Sequence, residues 1–160
     1  THCARTKDLF NEALKFQKMG GNIDITSGGS KFAPLHEVVA YGLENGLNLE
    51  RLTMSSDGNG SVPKFNENGD LIGYGCASCA SNLEVLQALV RNKILKIEDT
   101  LALMSKNVAR YLNLSQKGEI KVGNDVDLCV SDEELNLYDV IAKGEFCVKD
   151  EKVVKKGFFE

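Results

Sequence analysis

No run of apolar residues in this 160-residue sequence approaches the roughly 18 that a membrane-spanning helix needs, so no such helix is expected. No block of lysine and arginine stands out, and the formal net charge is −4. Neither nucleic acid nor a membrane surface is therefore an expected partner. Histidine is scarce: only His2 and His36 are present, and no His-x-His pair exists. The five cysteines, Cys3, Cys76, Cys79, Cys129 and Cys147, are odd in number and scattered. A chain of this length does not need disulfide staples, so reduced thiols and a cytoplasmic setting are expected. Cys76 and Cys79 form a C-x-x-C. A zinc site would want a second such pair or nearby histidines, so neither metal nor redox work is assigned to these thiols. No signal-peptide pattern opens the sequence. It begins on Thr1 rather than Met, directly on strand-like residues, which suggests a fragment or a processed product.

What is present is ordinary globular material, 42% hydrophobic and 26% charged, enough for one sizeable core. Residues 9–19, LFNEALKFQKM, place Leu9, Ala13 and Phe16 beside Phe10 and Leu14 at helical spacing, and Gly20-Gly21 stops the run. NIDIT at 22–26 alternates like a strand. Pro34 then opens a second helix with Leu35, Val38, Val39 and Leu43 on one face and Gly46 at its end. RLTMSSD reads as another strand. With a possible strand at Thr1–Cys3, the order is strand, helix, strand, helix, strand, the rhythm of βα units on a parallel sheet.

The spacing carries further. His2 stands 24 residues before Thr26, and Thr26 stands 31 before Asp57. A (β/α)8 barrel of about 250 residues uses roughly 31 per unit, and its chemistry lies at the carboxyl ends of its strands. His2, Thr26 and Asp57 are thus candidates for the ends of three successive barrel strands. Three units cannot close a barrel, so the alternative is a different α/β sheet. The glycine-rich segment 58–80 is expected to be a long functional loop. Residues 81–114 read as helices, with Ile97, Leu101 and Met104 as core positions. After Lys117-Gly118 the sequence turns Val-rich and Gly/Asp-punctuated, predicting three to five antiparallel strands and a domain boundary that divides 1–114 from 115–160.

Imidazole nitrogen and carboxylate oxygen both suit zinc, so His2 with Asp57 outlines a metal-hydrolase hypothesis. A carboxylate beside an activated water also serves as a general base. Arg5 offers a planar cation for bidentate capture of a substrate carboxylate. Ser61, on a loop whose glycines permit close approach, can hydrogen-bond a polar substrate group. Asp57 alone has the bland alternative of a turn residue, and His2 that of a surface histidine. His36, in the second amphipathic helix, is read as packing or surface.

At these residues the sequence becomes familiar. TH-x-x-R, GGNIDITS and SSDGNGSVPKF, in that order, resemble the isoaspartyl dipeptidases of the amidohydrolase superfamily. SKNVARYLNLSQKGEIKVGNDVDLCVSD and KGEFCVKDEKVVKKGFFE resemble the later part of the same enzymes, and the likeness covers essentially all 160 residues. The pattern KG-x-I-x-x-G-x-D-x-DL-x-V points only to the superfamily, whereas SSDGNGS and TH-x-x-R are more specific. The resemblance implies strands six to eight of a TIM-like (β/α)8 metallo-hydrolase barrel, followed by the C-terminal strands of a small β-sandwich. It implies His2 as a metal ligand ending strand six. Asp57, ending strand eight, would bind zinc and act as general base toward a hydroxide bridging two Zn2+ ions. Arg5 and Ser61 would bind a dipeptide whose aspartyl β-carboxyl forms the scissile isopeptide bond. The missing N-terminal part of the enzyme and a homo-oligomer are the implied partners.

The sequence also departs from that pattern. It lacks the His-x-His pair of strand one, the carboxylated lysine of strand four and the histidine of strand five. The chain alone is therefore expected to be inactive and to bind zinc weakly. Large exposed apolar flanks are expected on residues 1–57. The alternatives are another amidohydrolase, such as a dihydroorotase-like cyclic amidase or a deacetylase, and a non-catalytic subunit or scaffold module.

Overall fold

The computed structural model describes residues 1–156. Contacts divide the chain into two compact units, Thr1–Val85 and Leu86–Glu160. The change of sequence character near residue 115 marks a change of element type, whereas the compact units meet earlier, inside a helix.

The first unit begins with a turn rather than the expected strand at Thr1–Cys3. The Arg5 N–H donates to the His2 carbonyl at 3.1 Å, and His2 has a φ of 56°, which an extended strand cannot contain. Helix α1, Lys7–Lys18, starts where Thr6 accepts from the Leu9 N–H, and Asp8 favours its positive end. It stops as predicted at Gly20, whose φ is 94°. The buried face is Phe10, Ala13, Leu14 and Gln17. Leu9 and Phe16, set beside these by helical spacing, are exposed, as is Met19 (85%).

Strand β1, Ile23–Thr26, pairs in parallel with β2, Leu52–Ser55, in the register Ile23↔Leu52 to Thr26↔Ser55. A parallel pair needs a crossover, and α2, Leu35–Glu44, provides it. The pleat sorts side chains by period two. Ile23, Ile25, Leu52 and Met54 are buried, while Asp24, Thr53 and Ser55 are half-buried on the other face. The aliphatic face, with Phe10, Leu35, Val38 and Val39, makes the core. Leu43, assigned to that face from the sequence, is exposed, and its place is taken by Gly42, where an added Cβ would meet Leu47 at 2.9 Å and Phe10 at 3.1 Å. Phe10, Phe32 and Tyr41 form an aromatic trio with centroids 6.3–6.4 Å apart. Buried Gln17 spends its amide fully, donating to the carbonyls of Asn48 and Arg51 and accepting from the Asn48 N–H.

The segment 58–80 is not a loop throughout. It contains an antiparallel hairpin, β3 (Ser61–Phe65) and β4 (Leu71–Cys76), turned by Asn66–Asp70. The Asn66 carboxamide oxygen accepts from the backbone of Asn68 and Asp70 and fixes that turn. Val62, Phe65, Leu71, Ile72 and Tyr74 on it are exposed.

Helix α3, Ser81–Arg91, runs across the division between the units. In the second unit α4 (Ile97–Ala102) and α5 (Lys106–Tyr111) are short. Their buried positions are Thr100, Leu103, Asn107 and Ala109. Of the three core positions expected here, Leu101 is exposed, and Ile97 and Met104 are half-buried. Four antiparallel strands follow as one sheet, in the order β5 (Leu128–Ser131), β6 (Leu137–Ala142), β7 (Glu145–Lys149), β8 (Lys152–Val153). The described residues show this single sheet rather than the two layers of a sandwich, and residues 157–160, in the last expected strand segment, lie outside the described residues.

The pattern KG-x-I-x-x-G-x-D-x-DL has a physical basis at the head of this sheet. The Lys117 ammonium pairs with Asp125 at 2.8 Å and with Asp127. Asp127 also accepts the Lys143 N–H at 2.8 Å, and the two contacts hold its carboxyl below the usual range, Lys117 contributing most. Gly118, with φ 85°, leaves no room for a Cβ, which would stand 2.7 Å from that of Ala109. No described helix is long and apolar enough to cross a membrane.

Candidate active site

The residues singled out by spacing converge at the carboxyl ends of β1 and β2. His2 Nδ1 lies 2.6 Å from Thr26 Oγ1, at the last position of β1. This hydrogen bond fixes the ring and turns its other nitrogen outward. His2 Nε2 stands 3.7 Å from Asp57 Oδ2, two residues beyond β2. Both side chains are partly open to solvent. Both residues also have left-handed backbones, φ 56° at His2 and 53° at Asp57. Such conformations cost a non-glycine residue free energy and concentrate at functional sites.

The loop after Asp57 is shaped around its carboxylate. The Gly60 N–H donates to the Asp57 carbonyl at 2.9 Å. A Cβ on Gly60 would stand 2.7 Å from that oxygen and 2.9 Å from Oδ2, so only glycine lets the chain fold so closely over the acid. Gly58 is constrained likewise, since a Cβ there would meet the Cys79 thiol at 2.3 Å. The two glycines thus admit two specific neighbours.

Supporting residues escaped the sequence reading. Asp24, inside β1, accepts from Thr53 Oγ1 at 2.8 Å and from Ser55 Oγ at 2.6 Å, binding the polar face of the two strands together. The Cys3 thiol donates to the Asp24 carbonyl at 3.1 Å, and burial pushes it up to about 11. Ser27, directly after Thr26, is buried. Its Oγ donates to Asn82 Oδ1 at 2.7 Å and meets Ser81 Oγ at 2.7 Å, and its N–H donates to the Ser55 carbonyl at 2.8 Å. The start of α3 is thereby tied to both strand ends. The only signal for this in the sequence was a small polar residue directly after a buried strand.

Arg5 and Ser61 are placed less closely. Arg5 shares the opening turn with His2, its side chain is exposed, and its carbonyl accepts the Lys31 N–H at 3.0 Å. Ser61 is exposed at the start of β3, opposite Cys76. His36 sits on α2, 4.0 Å from its neighbour Glu37. Cys76 and Cys79 are both free and exposed.

The donor set can be compared with what zinc requires. Two ligands at about 2.0–2.2 Å around a tetrahedral ion stand roughly 3.5 Å apart, close to the separation of His2 and Asp57. Among the described residues no group of three or more His, Cys, Asp or Glu is gathered anywhere. The pair therefore fits as part of a metal site and falls short of the four-donor set that closes one.

A family model described as the amidohydrolase family matches residues 14–158. Among solved structures, the chain is similar to the β-aspartyl dipeptidase of Fervidobacterium islandicum AW-1 in complex with a β-Asp-Leu dipeptide. The identity is 35% and the TM-score 0.81, over 98% of this chain and 41% of that one. A second structure of the enzyme from that organism matches at 29% identity and a TM-score of 0.76, over 98% of this chain and 39% of that one. The N-acetylglucosamine-6-phosphate deacetylase of Thermotoga maritima, 18% identical, shares the fold with a TM-score of 0.60, over 80% of this chain and 39% of that one. The chain thus spans about two fifths of the length of each.

Proposed function

The chain belongs to the amidohydrolase family, and from that premise we propose that it supplies the C-terminal part of a zinc-dependent β-aspartyl dipeptidase. The observation that carries this reading is the meeting of His2 and Asp57 at 3.7 Å, at the ends of parallel strands, in a chain 35% identical to such a dipeptidase. In the same reading β1 and β2 are the last strands of a (β/α)8 barrel, residues 115–160 belong to a small β-sandwich, and the whole enzyme is a cytoplasmic oligomer.

Within that enzyme His2 and Asp57 would hold zinc, with further donors from the rest of the protein. The metal, when bound, supplies Lewis acidity and a water of lowered pKa. This chain's residues do the remainder. Thr26 fixes the His2 ring. Asp57 takes up a proton at its carboxylate and returns it to the leaving amine, as general acid–base chemistry requires. Arg5 pairs with a dipeptide carboxylate, and Ser61 hydrogen-bonds the aspartyl moiety. With two donors alone, the 160-residue chain is inactive and holds zinc weakly.

The test is hydrolysis of β-Asp-Leu by the whole enzyme containing these residues, with cyclic amides as competitors. Cleavage of β-Asp-Leu is expected, falling by about a hundredfold or more in Asp57→Ala, the range for loss of a general base. An enzyme that cleaves no β-aspartyl dipeptide would sink the assignment, and turnover by the purified 160-residue chain would refute its dependence on further ligands.

A further inference from the structure

The loop that carries Asp57 also contains the dipeptide Asn59-Gly60, to which the proposed function gives no role. We propose that Asn59 is a site of spontaneous conversion to aspartyl and isoaspartyl residues. The proposal rests on loop chemistry and is independent of the family reading.

The step balances with water alone. The backbone nitrogen of Gly60 attacks Cγ of Asn59 and closes a five-membered imide. The bond from Cγ to the side-chain nitrogen breaks, and that nitrogen leaves as ammonia with the proton lost from Gly60. Water then adds to one of the two ring carbonyls. Opening at one carbonyl gives aspartate, and opening at the other gives isoaspartate, in which the main chain runs through the former side chain.

Three Asn-Gly dipeptides occur, at 45–46, 59–60 and 68–69. In each the glycine N–H is engaged in a turn, Gly46 to Leu43, Gly60 to Asp57 and Gly69 to Asn66, so this restraint does not separate them. The side chains do. The Asn45 carboxamide is held against the end of α2 by a 2.8 Å bond to the Tyr41 carbonyl. At Asn68 the backbone N–H is held by the Asn66 carboxamide at 3.0 Å, but its own exposed carboxamide makes no hydrogen bond among the described residues. Asn59 is exposed, and among the described residues its carboxamide meets only the Cys76 thiol, at the long distance of 4.0 Å. Asn59 and Asn68 are thus the two free to swing toward the following nitrogen, and of these Asn59 is the one beside Asp57.

The fold cannot easily dispense with this dipeptide. Position 59 has φ 64°, which asparagine adopts more readily than most residues. Position 60 excludes a Cβ, and the same absence leaves ring closure unhindered. Conversion has two local effects. It adds a carboxylate two residues from Asp57. In the isoaspartyl form it also inserts a methylene into the main chain between the Asn59 N–H, held by the Ala77 carbonyl at 3.0 Å, and the Gly60 carbonyl, which accepts the Ala77 N–H at 2.9 Å. That unseats the base of the hairpin.

The experiment is incubation of the purified protein at mildly alkaline pH, followed by peptide mapping that resolves asparaginyl, aspartyl and isoaspartyl forms. In the folded protein Asn59 is expected to convert roughly tenfold faster than Asn45, equivalent to about 1.4 kcal/mol of barrier, and at a rate of the same order as Asn68. In urea the three sites should converge. Asn59→Gln should abolish conversion at that position and leave the other two rates unchanged. An Asn59 that stays intact, or converts no faster than Asn45 in the folded protein, would overturn the proposal, as would a difference from Asn45 that persists in urea.

Discussion

Ser27→Ala tests whether the candidate site is held from beneath by the start of α3. The Ser27 hydroxyl has one hydrogen to give, and Asn82 Oδ1 at 2.7 Å is its best acceptor. The Ser81 hydroxyl has a second option in the Ser78 carbonyl at 2.8 Å, so it survives the loss of Ser27 with a partner. Asn82 is 8% exposed and would be left with a buried, unsatisfied oxygen. An orphaned polar group of this kind costs about 1–3 kcal/mol, and the vacated hydroxyl adds little volume. The expected destabilisation is therefore about 2 kcal/mol. Asn82→Ala removes the same bond from its other end. A double-mutant cycle isolates the pair, and the expected coupling is about 1 kcal/mol. Urea unfolding followed by a signal from the first unit gives the four stabilities. A coupling below roughly 0.3 kcal/mol, the ordinary error of additivity, would refute the reasoning and leave Ser27 a passive occupant of its site.

Two further outcomes follow from shifted ionisations. Asp127 is held low by Lys117 and the Lys143 N–H. Its contribution is present above the unfolded carboxylate value of about 3.9 and is lost as pH falls through the lower folded value. Loosening of the β5–β8 sheet, read by hydrogen exchange between neutral and acid pH, should lose part of its acid sensitivity in Asp127→Asn. An unchanged acid profile would count against the pair. Cys3, pushed up to about 11 by burial, should be alkylated near neutral pH far more slowly than the exposed Cys76 and Cys79. Comparable rates at all three would show that the opening turn does not shield it.

The βαβ core was legible because its signals are local and strong. Alternation in NIDIT, apolar spacing in the helices and the glycine stops each point one way, and counting placed Thr26 and Asp57 at or just beyond the ends of parallel strands, whereas the strand expected at His2 is a turn. The hairpin at 61–76 was hidden because glycines at 73 and 75 break the alternation of a strand that is nonetheless paired. The buried face of α1 was left open, and that of α4 misread, for a different reason. Spacing says that a helix has an apolar stripe but not which of two adjacent stripes meets a neighbour. In α1 the choice fell on Phe10 and Leu14 rather than Leu9 and Phe16, and around α4 on Thr100 and Leu103 rather than Leu101. The hydrogen bonds of Ser27 and Asp24 join residues about 30 or more apart, and nothing in the local sequence announces them.

The parallel register of β1 and β2 has a consequence for assembly. Ile23 faces Leu52, 29 positions away, whereas Val62 faces Gly75 and Ala142 faces Glu145, only 13 and 3 away. Loop closure costs about 0.6 kcal/mol more for each doubling of length, and it is paid before the contacts it brings are made. The hairpins can form from neighbouring sequence. The two strands that bring His2 and Asp57 together are joined only after α2 has bridged the distance, so the geometry of the candidate site is expected to form later than the hairpins.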